Sequence, residues 1–219
     1  MRRSRRPGTA PGAAATGAAI VGAAVVGYLL GTLPTADLVA RAATGGDVDL
    51  RHDGSGNPGT VNAAHVIGAR AGAVVLVGDI GKAAAAAGLG RTLAGSLGAH
   101  VGGTAAVVGH CHPVWRGGRG GKGVAASVGQ CLATFPVYFP IDAAVAGVTV
   151  AVPWWEQRAF VSTALSSACW VACSALWWRR GWGNAWGPAP TAALPAAAVV
   201  SSAVILLRFR AEQRRLAAV

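Results

Sequence analysis

AATGAAIVGAAVVGYLLGTL, residues 14–33, runs for twenty residues without a charge. A helix rising 1.5 Å per residue crosses about 30 Å of hydrocarbon in that length, so this stretch reads as a membrane span. Six more apolar segments follow, at 70–90, 97–112, 123–134, 136–152, 159–178 and 190–207. The pattern predicts an all-α, polytopic integral membrane protein of about seven transmembrane helices. Five or six are the alternatives, because the third and fourth segments are short and glycine-rich, and because Pro136 and Pro140 blur the border between the fourth and fifth.

Composition agrees with lipid as the main solvent. Of 219 residues, 53% are hydrophobic and only 12% charged, and the 32 glycines suit close packing between helices. The formal charge of +11 comes from 19 Lys and Arg against 8 Asp and Glu. Those cations cluster between and beside the apolar segments, which points to anionic lipid headgroups and excludes nucleic acid as the expected partner. Residues 1–12, with Arg2, Arg3, Arg5 and Arg6, read as a disordered basic extension, and 13–219 as one transmembrane domain. The first apolar run outlasts the core of a cleaved leader, so it is taken as a span. Charge bias favours loops 41–69 and 113–122 on the cytoplasmic side, while the arginine-rich N-terminus pulls the other way. Trp177, Trp178, Trp182 and Trp186 are expected to form an interfacial belt.

Two polar strings interrupt the apolar background. Gly54-Ser55-Gly56-Asn57-Pro58-Gly59-Thr60-Val61-Asn62 offers hydroxyl and amide groups on a turn stiffened by Pro58. Gly109-His110-Cys111-His112-Pro113 leads into Gly120-Gly121-Lys122-Gly123, directly before a helix-compatible run. Glycine N–H groups converging at a helix N-terminus, with a lysine at the mouth, make an anion site. The spacing is not that of a Walker A loop, since Arg116 and Gly123 stand where Gly and Ser/Thr belong. No metal is expected: His110 and His112 are two apart, and Cys111, Cys131, Cys169 and Cys173 contain no CxxC pair. There is no Gly-x-Ser-x-Gly elbow and no histidine followed five positions later by aspartate. An anion nest of this kind suits an anionic headgroup at the membrane surface, or the transport or binding of an anionic metabolite.

Taken in order along the chain, these strings resemble the bacterial acyl-phosphate-dependent glycerol-3-phosphate acyltransferases, the PlsY family. The match begins at Gly27-Tyr28-Leu29-Leu30-Gly31-Thr32-Leu33-Pro34-Thr35-Ala36 and includes Gly54–Asn62 and Asp79-Ile80-Gly81-Lys82. Its strongest piece is Gly109-His110-x-x-Pro113 running into Gly120-Gly121-Lys122-Gly123-Val124-Ala125. The resemblance implies a multi-pass enzyme of the bacterial inner membrane with a cytoplasm-facing site and no cofactor. Its substrates would be acyl phosphate and glycerol 3-phosphate, and its product lysophosphatidate. By carry-over, Ser55, Asn57, His110 and Lys122 are the expected catalytic group. Gly54, Gly56, Asn62, His65, Gly120, Gly121 and Gly123 are expected to bind substrate. No dedicated protein base is implied, because a substrate phosphate oxygen would take the proton. The chain departs from the family at His65, where arginine is usual, at Val61 for threonine, and at Phe209 and Glu212 for a histidine and an asparagine of the tail. Those departures leave a same-family paralogue with another acceptor as a further reading.

Overall fold

The computed structural model describes residues 16–151 and 158–216, and every regular element among them is helical. The basic extension expected over 1–12 lies outside the described residues. Eight α-helices follow in order: α1 (Gly17–Gly31), α2 (Thr35–Thr44), α3 (Thr60–Val66), α4 (Ala69–Cys111), α5 (Val124–Thr134), α6 (Phe139–Ala151), α7 (Arg158–Arg180) and α8 (Ala193–Leu216). The expected all-α fold is what forms, and each of the seven apolar segments carries a helix.

Length and hydropathy alone mark four or five spans, one of which is the folded stretch Ala69–Arg116. Among the described residues four stretches are long and apolar enough to span a membrane: Gly17–Thr44, Ala69–Arg116, Arg158–Arg180 and Ala193–Arg215. Val124–Thr134 and Pro136–Thr149 reach that length only together, bent by 119° where Phe135 and Pro136 break the helix.

Helix α4 is a hairpin rather than a rod. Ala94 (φ −137°, ψ 28°) and Gly95 (φ 60°, ψ −147°) leave helical geometry, and Gly95 adopts a left-handed φ that only glycine tolerates without strain. The two arms, 69–93 and 96–111, fold back so that Gly90 lies on Gly98 and Ala86 on Gly102. Their register carries Asp79 of the first arm to the level of His110 on the second. The second arm then takes α1 on its other side, with Gly27 against Gly102, Gly31 against Ala106, and Gly109 against the Tyr28 carbonyl. Small residues at these contacts let backbones meet, which is how helices gain dispersion where lipid offers no hydrophobic driving force.

Some polar groups inside the bundle are paired across helices, whereas both ring nitrogens of buried His100 and the Ser202 hydroxyl find no protein partner. Gln130 of α5 donates through Nε2 to Thr104 Oγ1 (3.0 Å) and accepts from Ser201 Oγ of α8 at Oε1 (2.7 Å), so one buried amide joins three helices. At the end of the bundle near the α4 turn, Phe135 stacks on Tyr138 and meets Trp177 edge-on, both with centroids 5.7 Å apart. Asn184 Nδ2 ties the loop between α7 and α8 to Thr134 O (3.0 Å) and Pro188 O (2.7 Å). Of the four tryptophans expected at an interface, Trp178, Trp182 and Trp186 are exposed, while Trp177 turns inward onto Phe135. The opposite end gathers the α1–α2 break, the ends of both connecting loops and the last two turns of α8.

Candidate active site

Pro34 stops α1 and α2 restarts at once, which puts Asp37 in the first turn of α2, where a helix N-terminus favours a carboxylate. Asp37 bridges two loops. Its Oδ1 binds Arg51 Nη1 and its Oδ2 lies 3.0 Å from Arg116 Nη2. Arg51 is itself held by the turn that carries it. Its backbone N–H donates to Asp49 Oδ1 (2.9 Å), and that bond holds the Asp49 carboxyl below its ordinary pKa. Three sequence-distant segments thus meet through one acid.

The Gly54–Asn62 string is built around a buried side chain at its end. Asn62 Oδ1 accepts from the Ser55 backbone N–H (2.9 Å), and Nδ2 donates to Leu50 O (3.0 Å) and Asp53 O (2.9 Å). Gly54 makes room for that amide, with a left-handed φ of 63° and the Asn62 carboxamide where a side chain would stand. Asn62 therefore shapes the loop from within, whereas Ser55, Gly56, Asn57 and Pro58 face a cavity. Asn62→Ala is expected to cost about 2–4 kcal/mol, because a backbone donor and two carbonyls lose their partners. Thermal unfolding in detergent should shift down, and amide exchange over 50–56 should speed up. Unchanged exchange there would show that Asn62 does not hold the loop.

Beneath the loops lies a buried charged cluster. Lys82 Nζ is 2.8 Å from Asp79 Oδ1, and donates to Leu33 O (2.9 Å) and Thr35 Oγ1 (3.4 Å). His110 Nδ1 lies 3.4 Å from the same Asp79 oxygen. Asp79 and Lys82 sit one helical turn apart on α4, and the hairpin brings His110 to them. All three line a small cavity with Thr32–Asp37, Arg51 and Arg116. Among the described residues no group of three His, Cys, Asp or Glu side chains converges as a metal site.

The glycine–lysine string is closed rather than open. Gly120 N–H donates to Cys111 O (3.1 Å) and Gly121 N–H to His110 O (3.2 Å). Their carbonyls accept from Arg208, Gly120 O from Nη2 at 2.7 Å and Gly121 O from Nε at 3.4 Å. The expected nest of inward N–H groups at 120 and 121 is therefore engaged inside the protein. Gly123 packs on Cys111 and Ile205. Lys122 leaves the cavities as well: its ammonium lies 3.1 Å from Glu212 Oε1 and 4.9 Å above the Phe209 ring. Both partners are in the last turns of α8, so only tertiary packing places them there. His65 projects from the exposed side of α3 and lines neither cavity.

The positive charge of the site comes from side chains that the motif reading treated as ordinary loop cations. A cavity of about 460 Å³ is lined by Arg51, Arg116, Arg119, Arg208 and Arg215, with His52, Ser55, Asn57 and Glu212. It shares Arg51, Pro58, Arg116 and Gly120 with the smaller cavity above Asp79 and His110, so the two adjoin. One signal in the sequence could have found the α8 contribution: Arg208, Glu212 and Arg215 follow helical spacing and fall on one face. Five guanidiniums around one hollow suit a phosphate, which takes planar, bidentate donors.

Known proteins resemble this chain in sequence and in fold. Residues 21–219 match the family described as Glycerol-3-phosphate acyltransferase. A glycerol-3-phosphate acyltransferase of Exiguobacterium sibiricum is 47% identical over 112 residues, which is 51% of this chain and 53% of the relative. One from Geobacillus kaustophilus is 40% identical over 138 residues, 63% of this chain and 69% of the relative. These alignments thus span about half to two thirds of the relatives' length. The crystal structure of PlsY (YgiH), an integral membrane glycerol 3-phosphate acyltransferase in its glycerol 3-phosphate form, superposes with a TM-score of 0.69. It is 26% identical, and the superposition covers 91% of this chain and 92% of that one. With residues 21–219 matched by the family model and nearly the whole length superposed, the chain belongs to the glycerol-3-phosphate acyltransferase family.

Proposed function

We propose that this protein transfers a fatty acyl group from acyl phosphate to the 1-hydroxyl of glycerol 3-phosphate. The products are lysophosphatidate and inorganic phosphate. The observation that carries this reading is the arginine-lined cavity, placed at the end of an apolar bundle where a lipid-borne donor and a water-borne acceptor can meet. Family membership supports it, as does the likeness to PlsY in its glycerol 3-phosphate form. The unit is one transmembrane domain from residue 13 onward, in the bacterial inner membrane with the site facing the cytoplasm.

Acyl phosphate is already an activated mixed anhydride, so positioning and charge stabilisation are the main needs. The acceptor oxygen attacks the acyl carbon, the carbon–oxygen bond to phosphorus breaks, and the departing phosphate takes the hydroxyl proton. In this reading Arg51, Arg116, Arg119, Arg208 and Arg215 hold phosphate charge. Ser55 and Asn57 contact the substrates from the loop, while Gly56 lets its backbone come close. His110, aligned by Asp79, faces the smaller cavity beside Gly120 and Gly121. Lys122 acts on the larger cavity through Glu212 rather than by direct contact.

The test is product analysis by mass spectrometry with purified protein, palmitoyl phosphate and glycerol 3-phosphate. Lysophosphatidate and phosphate are expected in equal amounts, and phosphate release should require the acceptor. Uptake of glycerol 3-phosphate into vesicles without phosphate release would replace this reading with transport.

A further inference from the structure

Among the described residues, Arg51 and Arg116 are the two arginines that line both adjoining cavities. Each guanidinium takes its ion-pair partner from another segment of the chain. Arg116 ends a single 3-10 turn, Val114–Arg116, and is followed by Gly117 and Gly118, which take left-handed φ of 57° and 75° with nothing within 4 Å of a Cβ. Its side chain is 49% exposed, so that loop does little to aim it. Arg51 Nε is buried without a protein partner, so the grip on that guanidinium is the bond from Nη1 to Asp37 Oδ1. Asp37 itself stands on the first turn of a helix, only 17% exposed, and presents one oxygen to each arginine. Two cations drawn to one carboxylate repel each other, and the shared acid is what offsets that repulsion.

We propose that Asp37 is a positioning residue for substrate phosphate. It sets the guanidiniums of Arg51 and Arg116 side by side before a ligand arrives, and binding gains more from that order than it loses to the acid's own charge. This deepens the acyl-transfer reading above and rests on it for the identity of the phosphate-bearing substrates. Each guanidinium has five N–H donors, so a bond to Asp37 leaves others for phosphate oxygens. A long side chain already held in its bound rotamer spares the entropy that a loose one loses on binding. Were the acid to act by its field alone, its removal would tighten phosphate binding instead.

The experiment measures binding of inorganic phosphate and of glycerol 3-phosphate to the purified full-length protein in detergent, by isothermal titration without acyl donor. Asp37→Asn keeps the shape of the side chain and removes its charge, and it is expected to weaken both affinities by about ten-fold. Asp47→Asn is the charge control: Asp47 is exposed and lines neither cavity, so both affinities should stay within about two-fold of the unaltered protein. Arg116→Gln should weaken binding as well. The double variant should lose at least about three-fold less than the product of the two single losses, because the acid acts through the arginine. A fault confined to packing would leave the two losses independent. Should Asp37→Asn fail to fold, Asp37→Glu tests the same point: it keeps the charge but moves the carboxylate by a methylene, and should weaken phosphate binding by about three-fold or more. The proposal is overturned if Asp37→Asn binds phosphate as tightly as the unaltered protein or more tightly, if Asp47→Asn loses as much, or if the single losses multiply in the double variant. It is equally overturned if Asp37→Glu, used in its place, matches the unaltered protein, or if the unaltered protein binds no phosphate. Phosphate binding that behaves as expected without any acyl transfer would refute the proposed reaction and leave the role of Asp37 standing.

Discussion

Gly102→Leu is expected to leave almost no folded protein. Gly102 is where three pieces of backbone meet: a Cβ there would press on the Ala86 carbonyl and on Gly90, and Gly27 of α1 lies on its other side. Overpacking usually costs ~1–3 kcal/mol, because neighbouring side chains rotate away. Backbone cannot rotate away, so the cost here is placed above about 3 kcal/mol, a large share of a typical stability of about 5–15 kcal/mol. The failure should also be specific. Opening the hairpin separates Asp79 from His110 and α1 from the second arm, so the site disappears with the packing. Gly88→Leu is the matched control, since nothing lies within 4 Å of a Cβ at that exposed position of the same helix. It should stay within about 0.5 kcal/mol of the parent. Monodisperse yield and thermal unfolding in detergent read both variants. Equal behaviour of the two would mean that the α1–α4 contact is not close-packed.

Asp79→Ala should produce the second large effect, and by electrostatics rather than sterics. Asp79 and Lys82 are 3% and 9% exposed, so removing the acid leaves a buried ammonium with only neutral oxygens around it. Breaking a buried pair in this way costs about 3–5 kcal/mol. Removing both charges costs far less, because well-packed apolar replacements also avoid the desolvation penalty. Asp79→Leu combined with Lys82→Met is therefore expected to recover most of the thermal stability. Turnover should not recover with it, since His110 would lose the carboxylate that lies 3.4 Å from its Nδ1. A double variant with normal turnover would show that the cluster only holds the helices together. One that is as unstable as Asp79→Ala would contradict the paired-charge account.

The sequence determined the class of fold and the two strings that mark the site. Twenty uncharged residues at 14–33 have one stable solution in lipid, a helix, because every backbone group must be satisfied within its own segment. Glycine, proline and short polar side chains at 54–62 and 109–123 likewise marked loops, and their order along the chain carried the family. What each residue does was decided by contacts between segments far apart in sequence. Asn62 read as a ligand group became an internal strut once Leu50, Asp53 and Ser55 folded around it. Gly120 and Gly121 read as an open anion nest, yet their N–H groups bond the end of α4 and their carbonyls bond Arg208, 87 and 88 residues away. Lys122 read as the phosphate cation, and α8 supplied Glu212 and Phe209 to hold it aside. The five arginines of the cavity looked like ordinary positive-inside charge, because nothing local separates a cation facing lipid headgroups from one facing a hollow. Local pattern reports which groups must be buried or exposed; only the packed bundle decides which donors and charges are still available to a substrate, since that depends on partners which the chain brings together from its two ends.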